Sequence, residues 1–363
     1  MSWKTSDGST GRLVQLCSGY FLCYVATGLI VKFFTGSIGA RPPRMDDIAF
    51  LAFNTLGANL VCLVPVLILG WWRMPTIRPL RLGPLNFPSE LLYIVPSGIC
   101  TAVVIPTTTL MYSLPISVMV AMVIMRAAVI VIGRLVDAVQ IAQGILVRRV
   151  YAEENVAVVL AVIAASIELF GGNGSFDFLG NRAAVIILTS YITAYAIRIY
   201  IMNYYKNTRP RGTAYNNKGF FALEQISASI TMALAVGLLL HAARSWPSWA
   251  RVPQLAAFAS AVHHPPALAW WAAVAGSAFG LVAFFSVFIF MFKGRTATFT
   301  GLVNRLTSLV AGTAATLLGT LFFHSRFPSL QNWISLGFIL AAVSFLTRAE
   351  RRRAQELRAE KVI

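Results

Sequence analysis

Ten runs of apolar residues, each long enough to cross a bilayer and separated by short polar connections, leave this chain a single environment in which to fold. A hydrocarbon core about 30 Å thick takes roughly 20 consecutive apolar residues per spanning helix. Such runs make up most of the 363 residues, of which 57% are hydrophobic and only 12% charged; an ordinary globular chain carries about 25% charged residues. No large soluble domain fits between them. Within lipid every backbone N–H and C=O has to be satisfied inside the protein, which a helix does along its own length. The expected fold class is therefore an all-α integral membrane protein.

Apolar length and polar punctuation place the spans. The first five are 13–34, 48–72, 91–113, 116–140 and 154–170; the second five are 183–205, 219–241, 267–292, 299–323 and 330–346. Only Leu114 and Pro115 separate the third from the fourth. The first run is as long as a full span and lacks a small-residue cleavage site, so it is expected to stay as a helix, with no signal peptide.

The net charge of +17 does not imply nucleic acid, because the cations sit in loops and in the tail, where they orient a membrane protein. With the N-terminus inside, 19 Lys and Arg fall on its side of the membrane and 7 on the other. Both termini are thus expected in the cytoplasm, in the inner membrane of a bacterial host or an endomembrane of a eukaryotic one. Cys17, Cys23, Cys62 and Cys100 lie in apolar runs without paired spacing and suggest neither a disulfide framework nor a metal site. "NGS" at 173–175 falls in a loop on the non-cytoplasmic side and is a glycosylation acceptor only in a eukaryotic host.

Four cations remain inside the spans: Arg126, Arg134, Arg198 and Arg305. An intramembrane charge is costly and marks function by default. Ten spans divide into five and five, and an odd number per half inverts the second half. Sliding the chain by 179 residues lays "MVIMRAAVIVIG" (122–133) over "GLVNRLTSLVAG" (301–312), so that Arg126 meets Arg305 and Gly133 meets Gly312. These are the fourth helices of two halves, 1–172 and 173–363. The expected architecture is two inverted five-helix repeats.

The ten-span layout, the near-absent connection between spans three and four, and the stretches "SLPISVMVAMVIMRAAVIVIGRLVDAV" (113–139) and "TATFTGLVNRLTSLVAGTAATLLG" (296–319) resemble the drug/metabolite transporter superfamily. "S…MVIMRAAVI" is most similar to the solute carrier 35 branch, which includes nucleotide-sugar and triose-phosphate carriers. The resemblance implies a secondary carrier, an antiporter or proton-coupled, working by alternating access. A lysine-containing substrate motif of the nucleotide-sugar or plastid phosphate carriers is missing: the ninth span has no lysine, and Lys293 precedes it.

Arg126 is ten residues from one end of its helix and too deep to snorkel. At 100° per residue it shares a face with Ile130, Gly133 and Asp137, while Arg305 shares one with Ser308, Gly312 and Thr316. A guanidinium grips carboxylate or phosphate with two parallel hydrogen bonds, so an anionic solute is one partner for this pair. The other is internal: backbone carbonyls, or Asp137, Glu224 or Glu168. Substrate-binding candidates are accordingly Arg126, Arg305, Asn304, Ser308, Tyr195 and Glu224, with Tyr191 beside Tyr195 offering hydrogen bonds or stacking. Glu224 is the candidate for proton coupling or for an arginine counter-ion. Arg134 reads as the partner of Asp137 three residues on, Arg198 as snorkelling, and Glu168 as interfacial. "TTT" at 107–109 lines the path or bonds its own helix, and Gly276 with Gly280 is a packing signal.

No GxxxxGK[ST] fuels the chain with ATP, and no Ser/His/Asp constellation or clustered acids and histidines support a lipid-phosphate enzyme. The expectation is a non-enzyme without cofactor or metal, whose partners are a small-molecule substrate and the bilayer, with a homodimer left open. An exporter of amphipathic compounds or a lipid flippase is the rival within transport.

Overall fold

The computed structural model describes residues 10–36, 44–73, 79–82, 85–146, 150–170, 177–208, 216–290, 292, 297–323, 325 and 327–359. The sequon at 173–175 and many of the counted loop cations, among them Arg148, Arg149, Arg209, Arg211, Lys293 and Arg295, lie outside these residues. In chain order the helices are α1 (Thr10–Thr35), α2 (Asp47–Ile68), α3 (Leu91–Ser113), α4 (Val118–Ala142), α5 (Ala152–Phe170), α6 (Arg182–Asn207), α7 (Asn217–Ser245), α8 (Pro247–Ala250), α9 (Pro253–His263), α10 (Ala269–Phe290), α11 (Ala297–Phe323) and α12 (Leu330–Ala359). Among the described residues, nine of these are long and apolar enough to cross a membrane: α1 to α4, α6, α7 and α10 to α12. The chain is a multi-pass integral membrane protein. The expected fifth span forms as α5, but its 19 residues carry three carboxylates, Glu153, Glu154 and Glu168, and that charge sets it apart from the nine.

Two features were not expected. A short hairpin pairs β1 (Pro79–Leu82) with β2 (Leu85–Pro88) antiparallel, Pro79 opposite Pro88. Beyond the long α7 of 29 residues, the connection between the seventh and eighth expected spans folds into α8 and α9. Proline at the first turn of each costs no hydrogen bond there. Helix α9 rests on α2 and α7, and Trp246, Trp249, Trp270 and Trp271 around it are exposed.

Helix α4 is the centre of the bundle. Every residue from Val118 to Ala127 is buried, and α4 packs against α5, α6 and α11. Pro115 drives Leu114 out of the helical region, to φ −53° and ψ 151°. Ser117 then starts α4 by accepting from Val120 N at 3.2 Å. Lys32 of α1 donates to the freed Leu114 carbonyl at 2.6 Å, tying the end of α1 to this break. Pro96 and Pro106 lie inside α3 and supply no N–H to its ladder. Thr107, Thr108 and Thr109 turn back onto the carbonyls of Val103, Val104 and Ile105, so the threonine run bonds its own helix.

Helices α2 and α10 meet backbone to backbone. A Cβ on Gly57 would lie 1.7 Å from Ala273 O, one on Gly276 2.0 Å from Asn54 O, and one on Gly280 2.4 Å from Ala58 O. In lipid no hydrophobic effect draws helices together, so small residues that admit close approach hold the pair. The GxxxG of the sequence is the α10 half of this contact.

Candidate functional site

Arg126, 4% exposed, projects from the buried half of α4 toward α1. Its Nη2 donates to the hydroxyls of Tyr20 at 3.2 Å and Tyr24 at 2.8 Å. The two tyrosines are four residues apart and therefore on one face of α1. Tyr112 of α3 donates to the Tyr24 hydroxyl at 3.1 Å. Tyr20 donates in turn to Asn304 Oδ1 at 3.3 Å, and Asn304 Nδ2 donates to Ser286 Oγ of α10 at 3.1 Å. Five helices thus converge on one guanidinium through neutral oxygens.

Arg305 approaches from α11. Its Nη2 donates to the Val129 carbonyl of α4 at 3.1 Å, and a Cβ on Gly133 would stand 2.7 Å from that nitrogen. Gly133 is therefore the space the guanidinium occupies. Gly312 on α11 is filled from α4 in the same manner, a Cβ there meeting Met122 Cγ at 2.6 Å. Nearer one end, Met119 N donates to Thr316 Oγ1 at 3.0 Å. As the α4 partner moves from 133 to 119 the α11 partner moves from 305 to 316, so the helices cross antiparallel.

Neither arginine forms an ion pair with a carboxylate among the described residues. The Nε of each is buried without a hydrogen-bond partner there. An N–H left unsatisfied in a dry interior costs about 1–3 kcal/mol, more where charge is involved. Arg305 lies within electrostatic reach of Arg126, Asp137, Tyr191 and Tyr195. The result is a pair of cations among phenol and amide groups, with the Asp137 carboxylate within electrostatic reach of Arg305.

Asn304, Ser308 and Tyr195 are all buried around this centre; Ser308 Oγ donates to the Arg305 carbonyl at 2.8 Å. The rings of Tyr191 and Tyr195 pack at a tilt of 37° with centroids 5.1 Å apart and lie within electrostatic reach of Arg126. Glu224 is elsewhere. It takes a two-point ion pair from Arg198, Nε to Oε1 at 2.8 Å and Nη2 to Oε2 at 2.9 Å, and accepts from Ser97 at 2.6 Å and Thr101 at 3.2 Å. Arg198 therefore does not snorkel: it joins α6 to α7 across α3. Arg134 donates to Asn155 at 3.1 Å in place of the expected Asp137. Glu168, expected at the interface, is 9% exposed and is held by Asn332 and Ser335 of α12.

Removing one partner of a buried ion pair leaves the other charge uncompensated, at a cost of about 3–5 kcal/mol. Glu224→Gln is thus expected to lower thermal stability by about that amount while leaving ligand-dependent stabilisation in place. A thermal unfolding series with and without anions reads both.

Tyr20, Tyr24, Tyr112 and Ser286 escaped the sequence reading. A signal was present: two tyrosines at an i, i+4 spacing in an otherwise apolar span put two hydroxyls on one face.

No family model and no curated protein matches this chain. A protein of known crystal structure is similar over 95% of this chain and 99% of its own, with a TM-score of 0.50 and 16% sequence identity. At that identity the likeness concerns the fold alone.

Proposed function

We propose that this protein is a secondary carrier of the drug/metabolite transporter type, nearest the solute carrier 35 branch, that moves an organic anion bearing phosphate or carboxylate. It works by alternating access between two inverted five-helix repeats, 1–172 and 173–363, with α5 as a tenth span and both termini cytoplasmic. One observation carries the reading: a buried arginine from α4, Arg126, and a half-buried one from α11, Arg305, converge without a carboxylate hydrogen-bonded to either among the described residues. The hydrogen-bond partners found are tyrosine hydroxyls and a backbone carbonyl, all uncharged, and the Asp137 carboxylate acts on Arg305 only at electrostatic reach. Antiparallel crossing of α4 and α11, with Gly133 and Gly312 each filled from the opposite helix, supports the inverted repeat.

The test is exchange in proteoliposomes, guided by a thermal-shift screen of nucleotide sugars, sugar phosphates, carboxylates, lipid headgroups and cationic drugs. Counterflow of a labelled anion that stabilises the protein is the expected result. Stabilising anions that bind but never cross would defeat the carrier reading, and stabilisation by lipid headgroups or cationic drugs alone would favour the flippase or exporter.

A further inference from the structure

The arginines are equivalent in the proposed repeat, but their surroundings differ. Arg126 is clasped by Tyr20 and Tyr24 of α1. Helix α6, the first helix of the second half, carries the same pattern: "GYFLCY" (19–24) and "SYITAY" (190–195) both hold tyrosines four residues apart, and a shift of 171 lays Tyr20 on Tyr191 and Tyr24 on Tyr195. Tyr191 is 2% exposed and Tyr195 6%. Their hydroxyls make no hydrogen bond among the described residues, although both arginines are within electrostatic reach. One tyrosine pair is engaged, and its counterpart is buried and idle.

The ends of the bundle differ as well. Where α4 begins, a Cβ on Gly28 would stand 3.0 Å from Val118 Cγ1 and 3.1 Å from Ala315 Cβ, and Lys32 closes on the Leu114 carbonyl. This end is sealed. At the other end of the same helices Cys17 is only half-buried, and Arg305 is more open than Arg126.

We infer that Tyr191 and Tyr195 are positioning residues for Arg305: they clasp its guanidinium in the opposite access state, as Tyr20 and Tyr24 clasp Arg126 in this one. The inference rests on the carrier reading. In the state seen here Arg126 is held and Arg305, with one bond to Val129 O, is the arginine offered to the anion. In the opposite state Arg305 is held, and Arg126 turns to the carbonyl of Ser308, the residue that overlies Val129 in the repeat. The anion passes from one arginine to the other as the tyrosine pairs alternate.

The test compares Tyr20→Phe/Tyr24→Phe with Tyr191→Phe/Tyr195→Phe in the full chain, each substitution keeping the ring and removing one oxygen. Two reporters serve, the half-buried native Cys17 at the Arg305 end and Ala315→Cys where α1, α4 and α11 touch, each as the single cysteine of its protein. The rate of labelling by a membrane-impermeant maleimide is the readout. The first double variant weakens the state seen here and is expected to raise labelling at 315 and lower it at 17; the second is expected to do the reverse. Hydrogen bonds to a charged group shift such a balance by about tenfold or more. A purely structural loss moves both reporters in one direction. The single variants Tyr24→Phe and Tyr195→Phe give the same comparison should a double variant not fold. Changes of equal sign in a chain that still exchanges anions in proteoliposomes overturn the tyrosine pairing and leave the carrier standing. Unresponsive reporters in a chain that exchanges nothing overturn both.

Discussion

Arg126→Ala is expected to weaken anion-dependent thermal stabilisation, leaving the share that Arg305 supplies, and to reduce exchange by roughly 100-fold or more, the scale on which loss of one partner of a buried charged contact acts. The protein itself is expected to fold. Its partners do not depend on it: Tyr20 keeps Asn304, and Tyr24 keeps Tyr112. Taking a lone charge out of an apolar interior relieves a desolvation penalty, so the apo protein is expected to unfold at the same temperature or higher. The contrast with Glu224→Gln is diagnostic, because Arg198 does depend on its carboxylate. Arg126→Lys keeps the charge and loses the fork, and an intermediate affinity is expected. Anion titrations by thermal shift on the three variants decide the matter. Equal binding to wild type and Arg126→Ala would sink the anion site.

The largest structural effect is expected at the α2–α10 contact. Gly276→Leu places its Cβ 2.0 Å from Asn54 O, 2.8 Å from Asn54 C and 3.0 Å from Ala58 N. All three atoms are backbone, so no side chain can swing aside and the helices must separate along their length. A penalty of about 4 kcal/mol or more follows, and no monodisperse protein is expected on size-exclusion of detergent extracts. Gly237 is the control: a Cβ there meets nothing within 4 Å. Gly237→Ala is expected to be tolerated, with a gain of up to about 1 kcal/mol from helix propensity. Equal yields of the two variants would show that the close approach does not hold the fold.

The spans were legible because lipid imposes a coarse rule, about 20 apolar residues per crossing, that local composition satisfies or fails. The third span, 91–113, has the bounds of α3. The same rule hid α9, which is too short to span, and β1 and β2, whose four-residue strands show no readable alternation. Arg126 and Arg305 stood out because charge is rare in these segments. Their partners did not, because a tyrosine in a span reads first as packing or as an interface anchor. Pairing over distance was the hardest part. Arg198 and Glu224 are 26 residues apart, on α6 and α7, and Glu168 meets Asn332 across half the chain. Periodicity tells which residues share a face of one helix, and it is silent on which face of another helix comes to meet them.

Helix α7 gives the molecule a relation to membrane thickness. Its 29 residues extend about 44 Å at 1.5 Å each, roughly 14 Å more than the hydrocarbon core of an ordinary bilayer. Ile230, Leu234 and Leu238 are exposed along it, while Trp246 and Trp249 beyond its end and Trp270 and Trp271 at the start of α10 form a collar of indoles. Indoles settle at the headgroup level and so fix the height at which the protein floats. With that height set at one face, the surplus length is taken up by leaning or by lifting the last turns into the headgroups, each at a small cost per ångström. A thicker bilayer reduces the lean, so the angle of α7 to its neighbours becomes a quantity that the surrounding lipid sets.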